Sequence, residues 1–159
     1  MTRKINAADF EWIYGLYMHP ETNPWLLYEM MDKESFQPIF NELLEKEIIY
    51  VYAEDNSAVG MFKLIQLQHR NAHMAYLGGL AIHPDFSGKG YGKKMMQEIL
   101  ALGKEMNLLR IELSTASINE KAISLYEKAG FSKEGILRKY TWLKSEDRFL
   151  DEVMMSYLY

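Results

Sequence analysis

Glycine occupies every second position in part of the stretch LAIHPDFSGKGYGKK, residues 80–94. Because glycine has no Cβ, a loop through Gly88, Gly90 and Gly92 can turn tightly and point successive N–H groups at one anion. The loop follows an apolar run and precedes a helical pattern, so the positive end of a helix dipole would act on the same anion. This arrangement predicts a binding site for a phosphate group.

Two common phosphate loops have a different spacing. A P-loop requires G-x-x-x-x-G-K-[ST], but His83 stands five residues before Gly88, and Lys89 is followed by Gly90. A dinucleotide-binding loop requires G-x-G-x-x-G, but Lys93 stands three residues after Gly90. The loop on its own therefore leaves a glycine-rich surface turn as the alternative.

A second pattern, NEKAISLYEKAGFSKEG, covers residues 119–135. It predicts a helix that begins at the capping residue Asn119, carries Tyr126 and closes at Gly130, where a left-handed cap is favoured. Taken together, HPDFSGKGYG and N-x-x-A-x-x-L-Y-x-K-x-G-F-x-x-E-G resemble the GNAT superfamily of acetyl-CoA-dependent N-acetyltransferases. The motifs and the segments between them cover residues 76–140, and their separation matches the family.

The resemblance implies a site for acetyl-CoA. Strand residues 80–82 would splay from the neighbouring strand, residues 110–114, so that backbone groups of Leu80 and Ile82 pair with the pantetheine arm. The pyrophosphate would lie on the N–H groups of residues 87–92. The implied cofactor-binding residues are Leu80, Ala81, Ile82, Ser87, Gly88, Lys89, Gly90, Tyr91, Gly92, Asn119 and Lys128. Asn119 also fits a plain helix cap, and Lys128 an exposed helix lysine.

One residue of the loop departs from the family pattern. The loop usually begins with Gln or Arg, whereas this chain has Ser87, whose short side chain cannot reach over the pyrophosphate in the same way. A backbone cradle does not depend on that side chain, so we expect it to remain. Lys89, Lys93 and Lys94 add positive charge, although Lys93 and Lys94 also fit a solvated helix face.

The absence of cysteine restricts the chemistry. A thiol acyl-enzyme cannot form, so direct attack of a neutral amine on the thioester is the natural mechanism. The resemblance places the general acid at Tyr126, since a phenol with a pKa near about 10 can protonate a thiolate of comparable basicity. Many family members carry a glutamate on the strand before the loop, but residues 74–83 contain no acidic residue. The candidates for the base are Glu112, Glu29, His73 and Tyr76, or water.

The resemblance also assigns the acceptor pocket to the first two helices, their connecting loop and the last strands. The implied substrate-binding residues are Trp25, Tyr28 and Glu29, with Trp142 and Tyr157 as further candidates. Acidic and aromatic groups suit a cationic amine, although the same residues fit an aromatic-rich edge of the core. We expect an enzyme that acetylates a primary amine of a small molecule. The alternatives are acetylation of a protein N-terminus or lysine, and a non-catalytic acyl-CoA-binding module.

Hydrophobic periodicity predicts the elements that position these groups. Helices are expected at residues 7–19, 35–47, 90–106 and 119–129, and strands at 48–54, 58–68, 74–83, 109–114, 131–140 and 152–158. Gly78 and Gly79 interrupt the third strand, which is typical of a bulge or a close neighbour. The order predicts an α+β fold, a GNAT-like mixed and mostly antiparallel twisted sheet of about six or seven strands with helices on both faces.

Composition sets the remaining expectations. A chain of 159 residues with 48% apolar residues predicts one domain over residues 1–159. The net charge of −4, with both signs mixed along the chain, argues against general nucleic-acid binding. No stretch resembles a signal peptide or a membrane span, so we expect a cytoplasmic protein. Thiolate metal sites are excluded and no metal is expected; a homodimer through the apolar tail VMMSYLY remains open.

Overall fold

Seven strands and four α-helices make up the computed structural model, which describes residues 1–159. The strands are β1 (Thr2–Lys4), β2 (Ile49–Glu54), β3 (Ser57–Gln66), β4 (Met74–Ile82), β5 (Arg110–Ala116), β6 (Ser132–Leu143) and β7 (Arg148–Leu158). The helices are α1 (Phe10–Tyr17), α2 (Lys33–Lys46), α3 (Tyr91–Glu105) and α4 (Glu120–Lys128). No helix is long and apolar enough to cross a membrane.

All seven strands belong to one sheet in the order β1-β2-β3-β4-β5-β7-β6. The pairs β1–β2, β2–β3, β5–β7 and β6–β7 are antiparallel, and β4–β5 is parallel. The parallel pair is possible because α3 lies between β4 and β5 in the chain and supplies the crossover that parallel neighbours need. The predicted mixed, mostly antiparallel sheet is confirmed.

The four predicted helices are present, with shifted ends. Residues 7–9 form a 3₁₀ turn before α1, because Asn6 and Asp9 cap each other's backbone N–H groups as a capping box. Helix α2 begins two residues earlier than predicted, since the Asp32 carboxylate accepts a hydrogen bond from the N–H of Ser35 at 2.8 Å and so caps the helix.

The strands differ from prediction at both ends of the chain. Strand β1 was not expected, because three residues with one partly buried side chain show no clear alternation. Strands β6 and β7 extend well beyond the predicted residues 131–140 and 152–158 into a hairpin closed by a turn at residues 144–146. Charged residues hide the pattern here, but Trp142 pairs with Phe149 across the strands, with ring centroids 4.7 Å apart.

The chain forms two compact units. The first unit contains residues 1–64 and 79–91, and the second contains residues 65–78 and 92–159. The first unit has a core of twelve buried residues: Ile5, Ile13, Leu16, Tyr17, Met18, Phe36, Phe40, Leu43, Ile49, Val51, Met61 and Ala81. The second buries the apolar side of α3, through Met95, Met96 and Ile99, and the inward residues of β5, Ile111 and Leu113.

Candidate active site

The glycine loop leads into α3 from a 3₁₀ turn, Pro84–Phe86, that follows the end of β4. Gly88 and Gly90 have φ angles of 75° and 82°, in the left-handed region that favours glycine. A Cβ at either position would have no atom within 4 Å, so the space beside the loop is open. The N–H groups of Gly88, Lys89 and Gly90 donate to no carbonyl of the neighbouring turns, whereas the N–H of Ser87 donates to the carbonyl of Pro84 at 3.0 Å. The loop therefore presents N–H donors without a backbone acceptor at residues 88–90.

The side chains around the loop fix its shape. The His83 ring accepts a hydrogen bond from the N–H of Asp85 through Nδ1 at 3.3 Å, and the N–H of His83 donates to Val59 at 2.8 Å. His83 thus stabilises the start of the loop. The Lys89 ammonium donates to the carbonyl of Asp85 at 2.9 Å and lies 5.6 Å from the centroid of the Phe86 ring.

The strand that leads into the loop leaves part of one edge without a partner on β5. The parallel ladder joins residues 74–76 of β4 to residues 110–112 of β5 and ends there. Leu80 to Ile82 lie beyond its last pair. Ala81 is buried in the core of the first unit, while Leu80 and Ile82, on the opposite face of the strand, are half-buried.

Gly79 lies directly before this segment and has a left-handed φ of 54°. A Cβ at this position would lie 3.2 Å from the Tyr17 hydroxyl oxygen and 3.8 Å from Lys63 Cε. Both the backbone conformation and the close neighbours therefore require glycine. The expected bulge or close approach at residues 78–79 is confirmed.

Tyr126 lies on α4 and is 6% exposed. Burial raises the pKa of its phenol, and the neighbouring Tyr76 raises it further. Its hydroxyl has no hydrogen-bond partner in the chain, yet no polar side-chain atom of the protein is both sealed from solvent and unpartnered. The hydroxyl therefore faces accessible space. With a raised pKa it stays protonated at neutral pH, which is the form that a general acid needs.

The remaining predicted residues of α4 flank Tyr126 in the chain. The side-chain oxygen of Asn119 accepts a hydrogen bond from the N–H of Ala122 at 3.2 Å, so Asn119 caps the helix and keeps its amide donors free. Lys128 is exposed in the last turn. Gly130 has a φ of 101°, as expected of the left-handed cap, and Phe131 packs on Tyr126 with ring centroids 6.0 Å apart.

A polar network, not predicted from the sequence, links Tyr76 on β4 to side chains on three other strands, β5, β7 and β6. The Tyr76 hydroxyl lies 3.5 Å from Ser114 Oγ, and Ser114 donates to a Glu152 carboxylate oxygen at 3.0 Å. The other carboxylate oxygen accepts from the Thr141 hydroxyl at 2.6 Å. Burial raises the pKa of Tyr76, and the Ser114 hydrogen bond lowers it in part.

The other candidates for the base are placed less favourably. Glu112 is held by the Arg110 guanidinium, with nitrogen to oxygen distances of 2.8 and 3.0 Å. Glu29 and His73 are exposed. Of the four predicted candidates, only Tyr76 is joined to a carboxylate through a hydrogen-bond chain.

The predicted acceptor residues have different surroundings. Tyr28 is half-buried and packs against Tyr17, with ring centroids 5.1 Å apart. Trp25 is 48% exposed, and Glu29 also points to solvent. In the second unit, Trp142 packs on Phe149. Tyr157 packs on Phe131 and Tyr159.

The loop that carries Trp25 and Tyr28 is tied down by Asn23. The side-chain amide of Asn23 donates to the carbonyls of both Tyr17 and Tyr28, each at 2.9 Å. The Tyr14 hydroxyl donates to the carbonyl of Met31 at 2.8 Å near the other end of the loop. The loop between α1 and α2 is therefore fixed to α1 by side-chain hydrogen bonds.

Lys63 is the residue of this region that sequence reasoning missed. It is 8% exposed on β3, and its ammonium lies 5.7 Å from the centroid of the Tyr28 ring. Burial lowers its pKa. A charged residue in the apolar run VGMFKLI, residues 59–65, was the available signal.

No group of three or more His, Asp or Glu side chains is arranged to hold a metal ion.

Comparison with known proteins identifies the class. The model of the acetyltransferase (GNAT) family matches residues 5–131. The chain therefore belongs to the GNAT family, whose members transfer an acetyl group from acetyl-CoA. The predicted family, enzyme class and co-substrate are confirmed.

Particular relatives fall into more than one substrate group. The chain is similar to an uncharacterized prophage-derived N-acetyltransferase of Bacillus subtilis, with 35% identity over 106 residues, 65% of this chain and 59% of that protein. It is similar to the ribosomal protein bS18-alanine N-acetyltransferase of Haemophilus influenzae, with 29% identity over 98% of this chain and 97% of the relative. A spermidine N(1)-acetyltransferase of Vibrio cholerae is 30% identical over 85% of this chain and 80% of the relative.

A solved structure supports the fold. The crystal structure of spermidine N-acetyltransferase from Vibrio cholerae in complex with CoA and spermine superimposes with a TM-score of 0.86, 22% identity, and coverage of 99% of this chain and 94% of that one. At this identity the likeness shows the fold.

Proposed function

We propose that residues 1–159 act as one N-acetyltransferase domain that moves an acetyl group from acetyl-CoA to a primary amine of a small molecule. The observation that carries the proposal is Tyr126. Within the segment that matches the family, it offers a buried phenol whose hydroxyl has no hydrogen-bond partner in the chain. Such a hydroxyl is suited to hydrogen-bond a departing thiolate and to protonate it as negative charge develops on the sulfur.

The reaction is a direct transfer. The neutral amine nitrogen attacks the thioester carbonyl carbon, a C–N bond forms, and the C–S bond breaks. Tyr126 gives its proton to the thiolate sulfur, and a separate acceptor takes the proton that leaves the amine. Exchange with solvent then returns a proton to Tyr126 and removes the proton from that acceptor. Holding the two reactants together makes the step effectively unimolecular, which is a large part of the rate gain in such transfers.

Three groups of residues are proposed to contact acetyl-CoA. The N–H groups of residues 88–90 and the start of α3 suit the pyrophosphate. The backbone of Leu80, Ala81 and Ile82 lies beyond the ladder with β5 and is the proposed partner of the pantetheine arm. The free amide donors of Asn119 and the exposed ammonium of Lys128 are the proposed contacts from α4.

The proton of the amine needs an acceptor. We assign this role to the chain from Tyr76 through Ser114 to Glu152, because it ends on a carboxylate and its first hydroxyl acts electrostatically on Tyr126. Glu152 is then the final acceptor, and Ser114 and Thr141 position it.

Acetylation of a protein N-terminus is the second candidate. One observation favours it: the ribosomal-protein alanine acetyltransferase of Haemophilus influenzae aligns over 98% of this chain. The spermidine acetyltransferase of Vibrio cholerae, which aligns over 85%, favours a small amine.

The first test is a calorimetric titration of acetyl-CoA into the purified chain, with NAD and ATP as controls. The expected result is selective binding of acetyl-CoA. The second step is a thiol-release assay with polyamines, amino acids and peptides as acceptors. Binding without turnover of any amine would contradict the enzyme and leave an acyl-CoA-binding module.

A further inference from the structure

Two hydrogen-bond donors meet beside Gly79 without an acceptor. The Tyr17 hydroxyl oxygen and Lys63 Cε lie 3.2 and 3.8 Å from the position that a Gly79 Cβ would take. Tyr17 is 1% exposed and Lys63 is 8% exposed. No protein carboxylate or carbonyl accepts a hydrogen bond from the Tyr17 hydroxyl or from the Lys63 ammonium.

These two donors nevertheless reach accessible space. The chain contains no polar side-chain atom that is both sealed from solvent and unpartnered. The Lys63 ammonium and the Tyr17 hydroxyl therefore each keep a small solvent-accessible area. The ring of Tyr28 lies beside both, 5.7 Å from the ammonium and 5.1 Å from the Tyr17 ring.

The charges around Lys63 do not neutralise it. Lys46 on α2 lowers the pKa of Lys63, and Glu42 opposes this effect more weakly. Glu42 is itself paired with Lys46. A mostly buried ammonium with no counter-ion is unfavourable for folding, because desolvation is not repaid by a hydrogen-bonded partner. Residues that break a packing rule in this way are commonly found at functional sites.

We propose that the acceptor amine also carries a carboxylate, which binds the Lys63 ammonium and the Tyr17 hydroxyl. The inference rests on the proposed acetyl transfer and names its substrate class, an amino acid rather than a polyamine. A carboxylate only accepts hydrogen bonds, so it satisfies both donors at once. A polyamine would bring further positive charge to an ammonium that has no counter-ion.

The position of the pair fits an anchor for a small acceptor. Gly79 is directly followed by Leu80, where the pantetheine arm is proposed to bind. A carboxylate fixed beside Gly79 therefore keeps the rest of a small amino acid next to that segment. In a peptide, the carboxyl group of the N-terminal residue is part of an amide bond, so no carboxylate lies next to the amine. Lys63 and Tyr17 therefore also discriminate against protein acceptors.

The experiment compares acids with their amides. The wild type is given acetyl-CoA with the common L-amino acids, with the corresponding C-terminal amides, and with spermidine, and products are counted by mass spectrometry. For the best acid, kcat/KM is then measured beside that of its amide. The expected acid-to-amide ratio is roughly 10 to 100, the effect of a hydrogen bond to a charged group.

Variants of Lys63 and Tyr17 test whether these two residues cause the acid-to-amide ratio of kcat/KM. Lys63→Met should bring the ratio close to one, and Lys63→Arg should restore part of it. Tyr17→Phe should lower it less, and this variant serves if Lys63→Met does not fold. Lys33→Met is the matched control, because Lys33 is an exposed lysine of the first unit that is paired with Glu11, and its ratio should stay as in the wild type.

The outcomes separate the inference from the enzyme. Acetylation of spermidine or amides in preference to acids, or an acid-to-amide ratio that Lys63→Met leaves as it was, overturns the carboxylate site while the acetyltransferase stands. If no amine in any set is acetylated although acetyl-CoA binds, the proposed function itself fails.

Discussion

The two units differ in whether the polar groups of their proposed sites have hydrogen-bond partners within the chain. In the first unit, Lys63, Tyr17 and the N–H groups of the glycine loop are donors that lack acceptors. In the second, Glu152 accepts hydrogen bonds from Ser114 and Thr141. The first unit thus offers unpartnered donors that suit anions, whereas the second holds a network of polar groups paired with one another and, apart from it, the phenol of Tyr126. In the proposed function, recognition and proton transfer are assigned to different parts of the chain.

The largest effect is expected at the free phenol of the second unit. Tyr126→Phe should lower kcat about 100-fold or more while the Kd for acetyl-CoA changes by less than about twofold, because the hydroxyl acts on the departing thiolate. Thiol-release kinetics and calorimetry measure the two quantities. Tyr50→Phe, on β2, is the control. A similar kcat in Tyr126→Phe and wild type would remove Tyr126 from the chemistry.

Removal of the Glu152 charge from the hydrogen-bonded network of the second unit should lower both kcat and stability. Glu152→Gln should lower kcat about tenfold and the free energy of unfolding by about 1–2 kcal/mol, since hydrogen bonds to a charged acceptor are replaced by weaker ones. Denaturant unfolding and thiol release test this. Glu146→Gln, in an exposed ion pair with Arg148, should change neither by much. Unaltered stability in Glu152→Gln would show that the network is not a unit.

In the first unit, removal of a charge is expected to increase the free energy of unfolding rather than decrease it. Lys63→Met should raise the free energy of unfolding by about 1 kcal/mol, because an unpaired buried charge is replaced by an apolar side chain of similar length. Lys46→Met should stay within about 0.5 kcal/mol of wild type. A loss of stability in Lys63→Met would mean that the ammonium is satisfied in the folded state, and the contrast between the units would fail.

The stability difference at Lys63 should also depend on pH. Because burial lowers the folded-state pKa of Lys63, the unfolded chain binds more protons between that pKa and about 10.4, so wild-type stability rises with pH across this window. Lys63→Met lacks the group. Its advantage over wild type should therefore narrow between about pH 8 and pH 10, as measured by urea unfolding of both proteins.

The smallest effect is expected at the glycine loop. Lys89→Ala should raise the Kd for acetyl-CoA by about two- to fivefold, as expected for an exposed charge near a phosphate. Lys133→Ala, at an exposed lysine paired with Glu127, is the control. Because the loop N–H groups supply the main donors, a much larger loss would shift recognition from the backbone to this side chain.

Local chemistry made part of the site predictable. The glycine loop and the helix with Tyr126 are each specified by neighbouring residues, through left-handed glycines, an Asn cap and a closing Gly130. The same holds for the four helices and most strands, whose apolar spacing follows from burial of one face.

The missed residues depend on contacts between distant parts of the chain. Glu152 meets Ser114 and Thr141 because β7 pairs with both β5 and β6 in a particular register, which no local pattern specifies. Lys63 was visible as a charge in an apolar strand. Its proposed role in binding depends on Tyr17 and Gly79, which are distant in the sequence and lie beside it only in the folded chain. The ends of β6 and β7 were missed because exposed strand residues carry no burial signal.

The two hydrogen bonds of Asn23 have a consequence for the thermodynamics of ligand binding. They fix the loop between α1 and α2 before any ligand arrives, so binding beside Tyr28 does not have to order that loop. The segment loses its conformational entropy when the chain folds, so this loss does not oppose ligand binding. Slow amide exchange at residues 23–28 in the free protein is the expected signature, and an inhibitor that fills this space would bind without the affinity loss that a mobile lid imposes.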